Sequence, residues 1–535
     1  MFSKHCYNKS RINLKTNERK VSVYGDLQDR YMNRMIPFLK GEHWWGLAAA
    51  HGTRFPLTET SEYSYHPTTQ FTGNQESPLM VSSHGRYLWS DQPYDVEVHG
   101  GVIAVTNAKD DFALYEGYET LRGAFCAAVK AHFPPNGLIP PENFFLKPQY
   151  NTWAELIYDQ CQENILSYAH GIVDNGYPAG ILMIDDGWMR YYGSREFNLA
   201  RFPDARAMMA ELHALNFEVM LWICPFISPD TAEFRELEAK QMLVRTSDGS
   251  VAIRRWWNGY SAILDMSNPE TAAWLDTMLS DLMEIGADGF KFDAGDANYY
   301  RDDDLTWGNV TAHDQCMLWA KLGEKYRYNE YRACYRCAGL PLVQRLCDKS
   351  HRWSEVARLV PDALAQGLLG FAFGCPDMIG GGSFVDFLPG APSLDQDLFV
   401  RYAQTAALMP MMQYSAAPWR VLDADHARLC REAGDVHLHY ADMIIALAKE
   451  AAVTGEPIIR YMEYVFPHEG FADVTDQFMI GDTVLCAPVT EQGAITRTVV
   501  LPRGSWRYCD GTVYEGGCTL TVPAPINVLP VFEKC

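Results

Sequence analysis

The segment Gly289-Phe-Lys-Phe-Asp293-Ala-Gly-Asp296 runs an apolar strand into a glycine-containing turn, so Asp293 emerges where a strand ends and its carboxylate can be presented at a sheet edge. By itself such a residue is equally suited to capping the next helix. It gains chemical meaning beside a second carboxyl group about 5 Å away, because one ionised and one protonated carboxyl can attack an anomeric carbon and release its leaving group with retention. Asp348, in Arg345-Leu-Cys-Asp-Lys-Ser-His-Arg-Trp353, is the candidate partner, although a charged loop is ordinarily solvated surface.

Other polar groups fall at comparable strand ends: Asp185 and Asp186 before Gly187-Trp188, Lys291 beside Asp293, Arg332 and Arg336, Asp377 after Pro376, and Gln413 and Ser415 around Tyr414. Carboxylates suit sugar hydroxyls because each accepts two or more hydrogen bonds; capping a turn is the competing role for Asp185 and Asp377. The faces of Trp153, Trp188 and Trp257 can stack on the C–H face of a pyranose, with core packing as the alternative. Asn74 and Gln75 fit an exposed polar turn better than a pocket wall.

Three blocks of secondary structure must position these residues. Residues 1–145 read as short alternating strands, the grammar of a β-sandwich. Between 146 and 452 short apolar strands alternate with helices, with strands expected at 180–185, 218–225, 289–293, 331–337, 370–375 and 409–414, and a closing helix at 434–452. That alternation predicts a (β/α)8 barrel, a multidomain α/β chain, with chemistry at the carboxyl ends of the strands. Residues 453–535 return to strands and turns, a second and smaller sandwich.

A formal charge of −22 opposes nucleic acid and anionic lipid and favours a small neutral carbohydrate as partner, with homo-oligomerisation left open. No run approaches the twenty or so apolar residues of a membrane span, and 1–20 lacks the apolar core of an export signal, so a cytoplasmic protein is expected. Fourteen scattered cysteines suit reduced thiols in that compartment. Cys334 and Cys337 would point to opposite faces of one strand, His437 and His439 do not converge on a helix, and Gly380-Gly-Gly382 lacks a phosphate-loop context, so no metal, cofactor or nucleotide is inferred.

The ordered series Ile184-Asp-Asp-Gly-Trp188, Arg201-Phe-Pro-Asp204, Leu221-Trp-Ile-Cys-Pro-Phe226, Arg255-Trp-Trp-Asn-Gly259, Lys291-Phe-Asp-Ala-Gly295, Pro376-Asp-Met-Ile-Gly-Gly381 and Thr454-Gly-Glu-Pro-Ile-Ile-Arg460 resembles glycoside hydrolase family 31 over nearly the whole chain. Arg255-Trp-Trp-Asn-Gly259 and Met412-Gln-Tyr-Ser415 look most like the branch that contains the myogenesis-regulating glycosidase, a branch the resemblance associates with α-galactosides.

The resemblance implies a retaining exo-α-glycosidase, with Asp293 as nucleophile and Asp348 as general acid and then base. Asp293 should stay ionised; Asp348 is expected to be buried and to hold a proton near neutral pH, with Lys349 and His351 opposing if they face the site. Arg332, sixteen residues before Asp348, matches the family's substrate-contacting arginine, and Arg336 is its rival. Asp185, Asp186, Asp377, Lys291, Trp153, Trp188, Trp257, Trp353, Gln413 and Ser415 complete the implied substrate-binding set. The family's α-glucosidases carry a histidine where Gln413-Tyr-Ser415 stands here, which weakens a glucosidase assignment.

Overall fold

The computed structural model describes residues 32–535 apart from Pro389 and Ser393. Its centre is a parallel sheet that runs, in chain order, through Gln149–Asn151, Ile181–Ile184, Glu218–Ile223, Gly289–Phe292, Tyr328–Tyr331, Val343–Arg345, Gly374–Cys375, Met378–Ile379 and Gln413–Tyr414. The two edges of this sheet are Gly374–Cys375 and Met378–Ile379, which are separated in the chain only by Pro376 and Asp377. A sheet whose two edges lie on one short stretch must roll up on itself, and the pair counts as one interrupted strand of a (β/α)8 barrel.

The strands read as continuous apolar runs because both faces are covered. Every residue of Ile181–Ile184 and of Gly289–Phe292 is buried. Neighbours pair in parallel register, Ile184 with Leu221, Trp222 with Lys291 and Ile223 with Phe292, which sets Asp185 level with Trp222 and Lys291 and brings Asp293 out just past the end of its strand. The outer helices are locally specified. Asn268 accepts from Glu270 N ahead of Pro269–Ile285, and Thr311 and Asp314 form a reciprocal capping box on Ala312–Leu322.

The barrel strands are shorter than expected, and the closing helix is longer, Ala424–Thr454. It starts at the Asp423 cap and stops at Gly455, whose φ of 77° a side chain would strain. The strand expected at 331–337 is really two. Tyr328–Tyr331 belongs to the barrel, whereas Cys334–Tyr335 leaves it and pairs in parallel with Gln75 and Glu76 of the amino-terminal layer. Periodicity could not show this, because the break lies in which partner each half finds. The chain then turns at Arg336, with φ 50°, so Cys334 and Cys337 do not alternate along one strand; both are buried.

The amino-terminal layer holds the sheet Met32–Pro37, Val102–Ala108, Asp95–His99, Tyr63–Tyr65 and a second sheet around Gln75–Ser82, and it also carries a helix, Leu121–His132, that strand grammar did not anticipate. The carboxyl-terminal layer is a six-stranded sheet spanning Ile459–Arg460 to Val531–Lys534 with a two-stranded ribbon of Thr496–Leu501 and Cys518–Pro523. Of the helical histidines, His437 is buried against the Ala407 carbonyl and His439 is exposed. No helix of the described residues is long and apolar enough to cross a membrane. The stretch 1–20, read above for an export signal, lies outside the described residues.

Candidate active site

A cavity of about 740 Å³ opens at the carboxyl ends of the barrel strands. Its deepest wall is made by neighbouring strands. Asp293 is 9 % exposed and is held from three sides: Trp222 Nε1 donates to Oδ2 at 2.9 Å, Ala294 N to Oδ1 at 2.8 Å, and Arg332 Nε to Oδ1 at 3.2 Å. Burial alone would raise the pKa of this carboxyl, but the charges of Arg332 and Lys291, the Trp222 indole and Arg345 outweigh it and hold Asp293 well below the usual carboxylate range. The turn after it requires Gly295, where a Cβ would lie 2.2 Å from the Trp319 ring at φ +73°.

Arg332 is itself immobilised. Its Nη1 and Nη2 grip Asp296 at 3.0 and 2.8 Å, and Nη1 donates to the Gly73 carbonyl at 2.6 Å. Beside this group Lys291 Nζ donates to Asp185 Oδ2 at 2.6 Å, and both are almost fully buried. Asp186 accepts from Tyr192 Oη and from Asn258 Nδ2 at 2.6 Å. Burial and the adjacent Asp185 charge push the Asp186 carboxyl up to about 7.

The opposite wall centres on Arg345, the last residue of its strand. Its Nη1 donates at 2.8 Å to both Asp348 Oδ1 and Asp377 Oδ1, and its Nε lies 3.4 Å from Glu330. Asp348 is not buried as expected: its side chain is 41 % exposed toward the opening. Lys349 turns away to Asp362, and His351 Nδ1 to the Gly380 carbonyl. Asn74 and Gln75 are buried rather than exposed: Asn74 Oδ1 accepts from Cys347 N, and Gln75 Nε2 donates to the Arg332 and Arg345 carbonyls. A turn from the amino-terminal layer therefore braces both walls.

At the mouth stand Trp257, 47 % exposed, with the Arg332 guanidinium 5.7 Å from its ring centroid, and Trp153, whose Nε1 donates to Gly382 O while its ring meets Phe384 edge-on. Of the residues expected in the site, the structure brings Asp293, Asp348, Trp153, Asp185, Asp186, Trp257, Lys291 and Arg332 to this cavity.

It does not bring the other six. Trp188 is fully buried and donates to the Trp222 carbonyl; Arg336 turns to Asp91; Trp353 opens a helix and donates to Asp395. Asp377 lies behind Arg345, Gln413 lies below in a polar layer with Glu330 and Gln149, and Ser415 Oγ accepts from Ala154 N. Sequence reasoning missed Trp222, Asp296 and Arg345 as cavity-lining residues, along with Tyr158, Tyr299 and the 71–73 turn. For the first two a signal existed: Trp222 sits on a strand next to Cys224-Pro225, and Asp296 closes the Asp293 turn.

Size does not single out this site, since a hollow of about 820 Å³ lies between the closing helix and the carboxyl-terminal sheet around Tyr440 and Tyr508. What sets the barrel cavity apart is the convergence of opposed carboxylates and cations on one space.

The chain matches the model of the glycosyl hydrolases family 31 TIM-barrel domain over residues 148–436 and that of the glycosyl hydrolase family 31 C-terminal domain over 455–535. It belongs to glycoside hydrolase family 31. Among curated relatives it is 31 % identical to the myogenesis-regulating glycosidase of Mus musculus, over 75 % of this chain and 57 % of that protein. It is 22 % identical to α-glucosidase 2 of Bacillus thermoamyloliquefaciens over 70 % of this chain and 51 % of that protein, so it spans about half the length of these relatives. The fold is shared with a family 31 dextranase of Flavobacterium johnsoniae complexed with glucose, at TM-score 0.82 and 20 % identity over 95 % of this chain and 67 % of that one. A soil-metagenome α-xylosidase complexed with xylose gives TM-score 0.81 and 18 % identity over 94 % and 79 %.

Proposed function

We propose that this chain is a retaining exo-α-glycosidase that removes a terminal α-linked hexose by double displacement. One observation carries the reading: a carboxylate held ionised, Asp293, shares a cavity with a second, more exposed carboxyl, Asp348, on the opposite wall. In the first step Asp293 attacks the anomeric carbon while Asp348 gives its proton to the departing glycosidic oxygen. In the second, Asp348 takes a proton from water, which attacks the same carbon and frees Asp293.

Asp185, Asp186 and Lys291 would hold glycone hydroxyls, and Arg332 would keep Asp293 ionised and aimed. The bound sugar would cover Asp348 and supply the shielding from water that the open cavity lacks. The chain is read as residues 1–145, 146–452 and 453–535, working in the cytoplasm.

For the sugar, an α-galactoside is the first choice, resting on the likeness to the branch of the myogenesis-regulating glycosidase. Relatives named α-glucosidase and α-xylosidase make those sugars the alternatives. A non-catalytic sugar-binding relative is disfavoured by the complete set of Asp293, Asp348 and Arg332. The test is release of 4-nitrophenol from a panel of α- and β-linked 4-nitrophenyl hexosides and xylosides by wild type, Asp293→Ala and Asp348→Ala, with the product anomer followed by NMR. Cleavage of an α-hexoside with retention, lost in Asp293→Ala, upholds the reading. Selective cleavage of an α-glucoside keeps the mechanism and removes the galactoside choice, and silence across the panel refutes the enzyme reading.

A further inference from the structure

The acid/base wall contains an arginine with more carboxylates than it needs. Arg345 is 2 % exposed, and a cation so deeply buried requires a counter-ion; Glu330 and Asp377, both buried more deeply still, already supply two. They are also fixed in place. Glu330 accepts from Gln413 Nε2 at 2.8 Å, and Asp377 accepts from Lys349 N, Gly382 N and Tyr402 Oη. Asp377 adopts φ 124°, a conformation costly for a side-chain-bearing residue and sustained here by that set of bonds. The Arg345 carbonyl is tied to Gln75 as well.

Asp348 is therefore the third carboxylate on an arginine whose charge is already balanced. It is the one exposed partner of the three, its side chain 41 % open where those of Glu330 and Asp377 are fully buried. Its Oδ1 accepts from Arg345 Nη1 at 2.8 Å, while its Oδ2 has no hydrogen-bond partner among the described residues.

We propose, building on the glycosidase reading above, that Arg345 is the positioning residue of the general acid: held rigidly by Glu330 and Asp377, it pins Asp348 Oδ1 so that Oδ2 alone faces the glycosidic oxygen. The proton that protonates the leaving group then resides on Oδ2. It moves to the glycosidic oxygen as the C–O bond to the anomeric carbon breaks and the bond from Asp293 forms, and a proton from water returns to Oδ2 in the second step. A loop aspartate without this anchor would distribute among staggered rotamers, and only a fraction would place an acid beside the leaving oxygen. Asp377 thereby acquires a role behind the acid rather than against the sugar.

The test separates positioning of an acid from support of the fold through the leaving group. For the hexose selected by the panel, kcat/KM is measured on the 4-nitrophenyl glycoside, whose leaving group departs with little protonation, and on the methyl glycoside, whose leaving group requires it. Wild type, Arg345→Gln and Arg345→Lys are compared. Arg345→Gln is expected to lose about 100-fold on the methyl glycoside and less than about 10-fold on the 4-nitrophenyl glycoside. Arg345→Lys, which keeps a cation among Glu330 and Asp377 and so protects the fold, should show the same split with smaller losses. Equal losses on both substrates in the lysine variant, or an unchanged rate on the methyl glycoside, overturn the proposal. A wild type that cleaves neither glycoside refutes the glycosidase reading itself, before any variant is made.

Discussion

The two walls of the cavity treat their carboxylates differently. Asp293 ends a strand, is nearly buried and receives donors from an indole, a backbone amide and a guanidinium. Asp348 sits on a loop, is far more exposed and receives one donor on one oxygen. Strands fix a group to which the reaction assigns a single, ionised form, whereas a group proposed to give and then take a proton keeps one oxygen free. Each wall is organised by an arginine, and the arginines differ as well. Arg332 grips Asp296 and reaches the amino-terminal layer through Gly73, while Arg345 is anchored inside the barrel by Glu330 and Asp377.

The sharpest way to break this contrast is to delete each carboxylate. Asp293→Ala should lower kcat on a 4-nitrophenyl glycoside by on the order of 10⁴-fold. Asp348→Ala should cost about 100-fold or less on the same activated substrate and recover with added azide, which needs no general base. Losses of the same size, with azide without effect on either variant, would mean that the walls do not divide the chemistry as proposed.

Next in size is Asp296→Asn, which removes the charge that clamps Arg332. A fall in kcat of about 100-fold, equivalent to roughly 2.7 kcal/mol of barrier, is expected with KM little changed. A rise in KM alone would place Asp296 in substrate binding instead.

Gly73→Ala tests the reach of the amino-terminal layer. An added Cβ would lie 2.8 Å from Arg332 Nη1 and 2.9 Å from Asp296 Oδ1, so the clamp must shift. A loss in kcat/KM of about 10-fold, with only the modest fall in melting temperature that a side chain at the φ of +68° imposes, would sharpen the picture of a shared wall. Full activity would show that the guanidinium relaxes without consequence.

The effect on folding is read most simply at Asp186. Its carboxyl is pushed up from 3.8 to about 7 by burial and by Asp185, so the folded chain keeps a proton that the unfolded chain loses as pH rises. The stability is then fullest below the unfolded value and declines through the window from about 4 to about 7. Asp186→Asn, which cannot ionise, should gain on wild type across that window by at most a few kcal/mol and hold the gain above it. Thermal unfolding at pH 4.5, 6 and 8 checks this, and a gap independent of pH would reject it.

Much of the site could be read from strand grammar together with family resemblance. Asp185, Lys291 and Asp293 follow apolar runs that end at the barrel mouth, and the side chains named from those runs reach one cavity. The failures have different causes. Trp188 lies four residues past the end of Ile181–Ile184, where the direction of a side chain depends on how the loop folds back, and it turns into the core; Gln413 lies inside the strand Gln413–Tyr414 and not beyond it, and so joins the polar layer below the cavity. Asn74 and Gln75 look like a solvent-facing turn until Cys334–Tyr335 pairs with the amino-terminal sheet and draws them under both walls.

The sequence by itself determined the alternation of apolar strands and amphipathic helices, and with it a barrel between two β-rich layers, because periodicity and capping are local properties. Its motif series also determined the family. Tertiary structure decided which arginine faces the cavity, that Asp377 stands behind Arg345, and that Gly73 closes on Arg332 across 259 positions of chain. These are pairings between distant segments, and no local pattern records which carboxylate a buried cation will meet once the barrel has closed.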